Sequence, residues 1–294
     1  MTLRVATYNL YLGADLSLLF GVPEEGMADV VTTLLDQLSV TDFPTRARAI
    51  ARLLVDADVE LVGLQEVTRW TRAGDVLCDF LAELTSALED AGGAYDVHAV
   101  NRNFAGAGAD MTVEGSNVTL VRRELVVLSE QVGDFADALT VTTPMGDVSI
   151  RRSWGLVDVE AVGRQLRFVN THTEAYDVDV RNAQRDELLA SVGEVTPCVI
   201  VGDFNATPDR VGLGAPYADA WIAAGGDPAG GLTCGQAADL RNEVSALAER
   251  IDYVWVRDAT VEACRLIGAE PSDRTPTGLW PSDHAGVLAE VDLR

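Results

Sequence analysis

CVIVGDFNATP, residues 198–208, is the stretch on which the fold turns. Its apolar, β-branched run reads as a strand that ends in Asp203, with Asn205 two positions later. A core strand that delivers a carboxylate and an amide at its tip suits a scaffold whose strand ends carry chemistry.

The same pattern recurs outward in both directions. Strands are expected at Arg4–Leu10, Val59–Gln65, Asp96–Val100, Ser116–Arg122, Trp154–Val162, Gln165–His172, Cys198–Asp203, Asp252–Arg257 and Gly286–Val291. Helices are expected at Pro44–Val55, Asp75–Ala91, Val178–Gly193 and Ala238–Ala248, with Pro44 in a first turn where its missing donor does no harm. So many strands with few helices do not fit an alternating parallel sheet. The expected class is α/β, with two mixed β-sheets packed face to face and flanked by helices. No linker or repeat divides the chain, so one domain over residues 1–294 is expected, with an insertion at about 12–43. That insertion contains the apolar LSLLF (16–20) and an amphipathic MADVVTTLLDQL (27–38), suited to packing on the sheet edge or to walling a site.

Polar groups fall at the strand tips. Asn9 lies near the end of the first strand, Gln65 and Glu66 close VELVGLQEV, and His172 closes LRFVNTHT. Asp252 opens the strand after Arg250, and Asp283-His284 precedes the last one. Two of the chain's three histidines sit at such tips, whereas His98, within YDVHAV, looks ordinary.

Composition narrows the partners. A hydrophobic share of 48% with 23% charged residues describes a folded chain, and no apolar run is long enough for a bilayer span. Forty-six acidic residues against 22 basic ones give a net charge of -24, and every basic residue is arginine. A protein that grips duplex backbone carries a basic footprint, so nucleic acid is a possible but disfavoured partner. A phosphate-ester small molecule or lipid headgroup is the favoured one. No secretory leader is read before the first strand, which makes the cytoplasm the expected compartment. The four cysteines lack metal-binding spacing, Cys198 reads as a buried hydrophobe, and a Cys234–Cys264 bridge is conceivable. No GxSxG stretch is present, which argues against a serine hydrolase.

TYNL, LQEV, NTH, GDFNATP, RIDYVWV and SDHAGV, in that order from Ala6 to Val287, resemble the endonuclease/exonuclease/phosphatase (DNase I-like) superfamily. The resemblance implies a four-layered α/β sandwich and a metal-dependent hydrolase of phosphate esters. It implies Mg²⁺, with Mn²⁺ as a substitute, on Glu66 assisted by Asn9, with Asp283 near the metal or leaving group. Asp203 is expected to orient or deprotonate water, Asn205 and His172 to bind phosphoryl oxygens, and His284 to act as an imidazole oriented by Asp252. Asn117 is expected to meet the substrate, as is Arg102 at a strand end. Gln65 is expected to brace Glu66, and Arg181, Gln184 and Arg185 to form a supporting helix face. The chain departs from the abasic-endonuclease branch at Tyr11, where that branch carries an acid, and it lacks a basic DNA-binding loop. A DNA or RNA nuclease is therefore the second reading, and a noncatalytic binding protein of the same fold the third.

Overall fold

All nine expected strands form, and those at 198–203 and 252–257 do so residue for residue. The computed structural model describes residues 2–108, 110–143 and 146–293, with side chains for all of these except 104–108, 142–143 and 146–148. In chain order the first strands are β1 (Thr2–Asn9), β2 (Leu61–Arg72), β3 (Asp75–Asp79), β4 (Tyr95–Gly108), β5 (Met111–Arg122), β6 (Val126–Asp134), β7 (Leu139–Thr143) and β8 (Gly146–Ile150). They continue as β9 (Ser153–Ala161), β10 (Arg164–His172), β11 (Cys198–Asp203), β12 (Ala218–Asp219), β13 (Asp252–Arg257), β14 (Thr260–Ile267) and β15 (Gly286–Asp292). The helices are α1 (Met27–Val40), α2 (Phe43–Asp56), α3 (Phe80–Asp90), α4 (Val178–Val192) and the single turn α5 (Ala220–Ala223).

One sheet runs β14-β15-β1-β2-β5-β4, with β3 on the far end of β2, and the other runs β12-β13-β11-β10-β9-β6. A separate hairpin pairs β7 with β8. Among the described residues, only β1 with β2 and β10 with β11 pair in parallel; the other paired strands are antiparallel. The inner faces interlock through Leu3, Val5, Leu61 and Val121 of one sheet and Val157, Phe168, Val199 and Val254 of the other. Burying each such side chain contributes about 1.5–3 kcal/mol. A side chain at Gly63 would put its Cβ 2.5 Å from Val201 and 2.7 Å from Asn170, so only glycine lets the sheets approach there.

Helices cover the outer faces and complete four layers. The first sheet carries α1, α2 and α3 through Leu34, Ile50, Leu54, Phe80 and Leu84, and the second carries α4 through Leu188 and Val192. Asp42 caps α2 by accepting from Thr45 N, and Pro44 sits in the first turn as expected. Phe43 and Phe80 stack with centroids 3.6 Å apart, locking the starts of α2 and α3 together.

Two helix expectations are corrected. Asp75–Asp79 is strand β3 rather than helix, because it pairs with the extension of β2; the helix starts at Phe80 behind an Asp79 cap. Residues 238–248 are loop: Asn242 accepts from Ala237 N and donates to Gln236 Oε1 and Val244 O, diverting backbone groups that a helix would use. Leu240, at φ 58°, is buried against Trp280 and Leu279. No described helix is long and apolar enough to cross a membrane. The four cysteines are free, so Cys234 and Cys264 are not bridged, and Cys198 is buried as expected.

Candidate active site

Three expected site residues stand on one rung of the second sheet. Parallel pairing of β10 with β11 sets His172 beside Asp203, and antiparallel pairing of β11 with β13 sets Asp203 beside Asp252. In the first sheet the pairing of β1 with β2 ends at Asn9 opposite Gln65, and β2 runs on to Arg72. Glu66 follows in a β-bulge between Leu64 and Val67, at φ 57°. That left-handed backbone costs a non-glycine residue about 1–2 kcal/mol. Its carboxylate enters the cleft and Oε2 accepts from Leu12 N at 2.7 Å.

Asp203 is the hub. Its Oδ1 accepts from Asn205 N at 2.8 Å and its Oδ2 from Asn9 Nδ2 at 3.0 Å. His172 Nε2 lies 3.5 Å and His284 Nε2 4.0 Å from the same Oδ2. His284 Nδ1 contacts Asp252 Oδ2 at 2.8 Å, the geometry that fixes an imidazole's orientation. The loop bearing His284 is tied down by Ser282, whose hydroxyl donates to Asn9 O at 2.7 Å.

The charges divide unequally. Burial works against a charged His284, but Asp252 and Asp283 outweigh it and hold its pKa well above the ordinary value. Burial, reinforced by the cations Arg152 and His284, pushes His172 well below it. Arg152 Nη1 lies 3.2 Å from each ring nitrogen of His172. His284 therefore carries the positive charge at neutral pH, and His172 is a neutral ring with a single N–H to donate. Burial and the facing Asp252 raise Asp203 to about 7. Glu66 is raised by burial and by Asp283, and Asp283 itself by burial.

Glu66, His172, Asp203, Asn205, Asp283 and His284 line one cleft of about 500 Å³, within the range of small-molecule sites. Asn9 and Asp252 are buried directly behind, each bonded to a lining residue. Asn9 Oδ1 accepts from Tyr11 N at 2.9 Å while its Nδ2 holds Asp203, so both ends of the amide already position the site. Asn205 Nδ2 donates to Thr173 O at 3.0 Å.

Other expected residues fall elsewhere. Arg102 is 72% exposed and pairs with Glu114 at 3.2 Å, away from the cleft lining. Two register shifts in β4 turn Asn103 toward the site instead. Asn117 does not reach the cleft; its Oδ1 accepts from Asn103 Nδ2 at 2.8 Å and its amide donates to Ser153. Gln65 bonds Thr7, Gly63 O and Asn170 rather than Glu66, because adjacent strand residues face opposite ways. Arg181 and Gln184 support the chain after β10 by binding Glu174 O, Ala175 O and Glu174 N, whereas Arg185 binds only Asn182 and Asp186.

Sequence reading missed Arg152, Asn103 and Arg46. Arg46 is wholly buried, donating to the carbonyls of Thr41, Leu10, Pro281 and Tyr11 and thereby tying α2 to two site loops. Arginine in an amphipathic helix signals nothing of this.

The pattern of the Endonuclease/Exonuclease/phosphatase family matches residues 6–284, nearly the whole chain. The chain belongs to that family. Its fold is similar to humanized TDP2 from D. rerio (18% identity, 99% of each chain, TM-score 0.64). It is also similar to the endonuclease/exonuclease/phosphatase from Bacteroides vulgatus (19% identity, 100% of each chain, TM-score 0.63). A third similar structure is the mannosyl-6-phosphatase of Bacteroides thetaiotaomicron (19% identity, 98% of this chain and 99% of the other, TM-score 0.61). No curated protein matches the chain by sequence.

The family uses divalent metals, and two groups of ligands come into question. Asp203, Asp252 and His284 offer atoms within 4.8 Å of one another. The closeness of His284 and Asp252, however, is already that of a hydrogen-bonded pair. Glu66 and Asp283 are the other group: both line the cleft and both offer the hard carboxylate oxygens that a divalent cation such as Mg²⁺ prefers.

Proposed function

We propose that this chain is a single catalytic domain that hydrolyses phosphate esters with Mg²⁺, or Mn²⁺ in its place, held by Glu66 and Asp283 with Asn9 in support. The observation that carries the reading is Asp203 and the Asp252-oriented His284 lining one cleft with Glu66. A phosphate ester repels its nucleophile, so attack requires the anionic oxygens to be neutralised while a base holds water in line. The bound cation would supply Lewis-acid neutralisation of one phosphate oxygen.

The chain's own groups supply the rest. Asp203, held on both oxygens by Asn205 N and Asn9, orients water and accepts its proton once ionised. His284, charged and steadied by Asp252, donates from Nε2 to a non-bridging oxygen. The neutral His172 ring donates to a second oxygen, and Asn205 to the phosphoryl group.

The favoured substrate is a small or lipid-linked ester rather than duplex DNA, since a chain of charge -24 has little to hold a polyanion. Turnover of bis-4-nitrophenyl phosphate, a phospholipid panel and supercoiled plasmid tests both claims. Activity that disappears with EDTA, returns with Mg²⁺ or Mn²⁺ and vanishes in Glu66→Ala is expected. EDTA-resistant hydrolysis would refute the metal role. Plasmid nicking far above turnover of the small esters, and equally dependent on Glu66, would move the substrate to nucleic acid.

A further inference from the structure

The cleft lining is not all polar: beside the set already described it includes Leu16, Leu19, Phe20 and Met27 of the insertion, together with Met111 and Ile150. Phe20 and Tyr176, two lining residues from segments far apart in the chain, meet edge to face with centroids 5.7 Å apart and planes at 83°. Both are exposed, Phe20 at 37% and Tyr176 at 61%. An exposed aromatic pair among apolar lining residues keeps hydrocarbon out of water, and nothing in phosphate chemistry itself requires it.

Resting on the hydrolase reading above, we propose that the substrate is a phosphate ester bearing an aliphatic or aromatic group, and that this group lies along the insertion wall beneath Phe20 and Tyr176. The ester is taken as a free molecule rather than from a bilayer. The insertion carries Asp15, Glu24, Glu25, Asp29, Asp36 and Asp42 and no basic residue. Segments that settle on membranes place Lys and Arg beside their apolar face, and this one places acid there. The volume of about 500 Å³ suits one phosphoryl group with a hydrocarbon substituent of moderate length. The polar residues fix the phosphorus and the apolar ones select what is attached to it.

Calorimetric binding of methyl-, butyl- and octylphosphonate in the presence of Mg²⁺, each kept monomeric, tests the assignment. Full transfer of a methylene from water is worth about a fourfold gain in affinity. Octylphosphonate is therefore expected to bind at least about tenfold more tightly than methylphosphonate, using only part of that potential. The Phe20→Ser/Tyr176→Ser double variant, altered only at exposed positions, is expected to weaken octylphosphonate about fivefold or more and leave methylphosphonate within about twofold. Equal affinities across the series, or an octyl gain undiminished in the variant, would overturn the proposal. Since calorimetry reads binding without turnover, an inactive protein would defeat the hydrolase reading and still leave the pocket open to judgement. In a parallel arm, protein remaining in the supernatant with phosphatidylcholine vesicles supports the free-molecule source. Co-sedimentation without binding of monomeric octylphosphonate overturns it.

Discussion

Asp203 and Asp252 stand directly opposite each other on β11 and β13, yet their carboxylates serve different partners. Asp203 accepts from Asn9 and from the Asn205 backbone, while Asp252 is turned to His284 Nδ1. Two acids on one rung thus divide into one held among amide donors and one paired with an imidazole, a separation set by neighbours rather than by residue type.

The division makes Asp203 a liability in the metal-free protein. Its folded pKa of about 7 exceeds the unfolded value near 4, so between these pH values the native state keeps a proton that the unfolded chain has released. By linkage, stability then falls as pH rises from about 4 through about 7. Asp203→Asn is expected to flatten this fall and to stabilise the metal-free protein at pH 8 by up to about 4 kcal/mol. Urea unfolding in EDTA at pH 5 and pH 8 measures it, and an unchanged slope would contradict the assignment.

Removing Asp252 is expected to act through His284. After burial, which opposes the charge, Asp252 is the largest influence on His284 and the one that raises its pKa. In Asp252→Asn the alkaline limb of the pH–rate profile moves to lower pH, and turnover at pH 8 drops by about 10²–10⁴-fold. A limb that stays in place would show that His284 is charged by something else.

Deleting either reacting side chain should leave the fold and remove the chemistry. His284→Ala and Asp203→Ala are each expected to lose most turnover, by about 10²-fold or more, with native circular dichroism. Full activity in His284→Ala would refute its role.

Arg152 is predicted to add to the burial that keeps His172 neutral. Burial is the larger cause of the depressed His172 pKa and Arg152 the next, so Arg152→Met should raise it while leaving it below the ordinary value. Histidine ¹³C NMR titration reads the shift directly; an unmoved His172 would show that burial alone suffices.

Arg46→Met tests the clamp between α2 and the site loops. Four buried carbonyls lose a charged donor, at a cost of about 3 kcal/mol in stability. Denaturant melts check the cost.

The fold was legible where the physics is local. β11 and β13 are continuous apolar runs between polar ends, and no other element fits such a run. The residues from 126 to 150 escaped because their strands are edge or hairpin pieces: β6 leaves Val126, Leu128 and Val132 exposed, so no buried alternation marks it. At the site, the strand-end rule named Asp203, His172 and Asp252, which the structure brings together, because strand tips need no knowledge of the partner sheet. It misplaced Arg102, where bulges in β4 change which residue faces inward, and Asn117, expected from the resemblance alone, is held on β5 by Asn103 and Ser153. Arg152 and Arg46 lay beyond it altogether, since their partners are 20 and up to 235 residues away.

Because His172, Asp203 and Asp252 share a rung of three adjoining strands, their mutual spacing is inherited from the backbone ladder itself, with neighbours about 4.8 Å apart. Side-chain repacking in either core can hardly stretch such a comb. The lining residues of the 12–43 segment lie outside that ladder, so substitutions there can leave the pitch of the teeth unchanged.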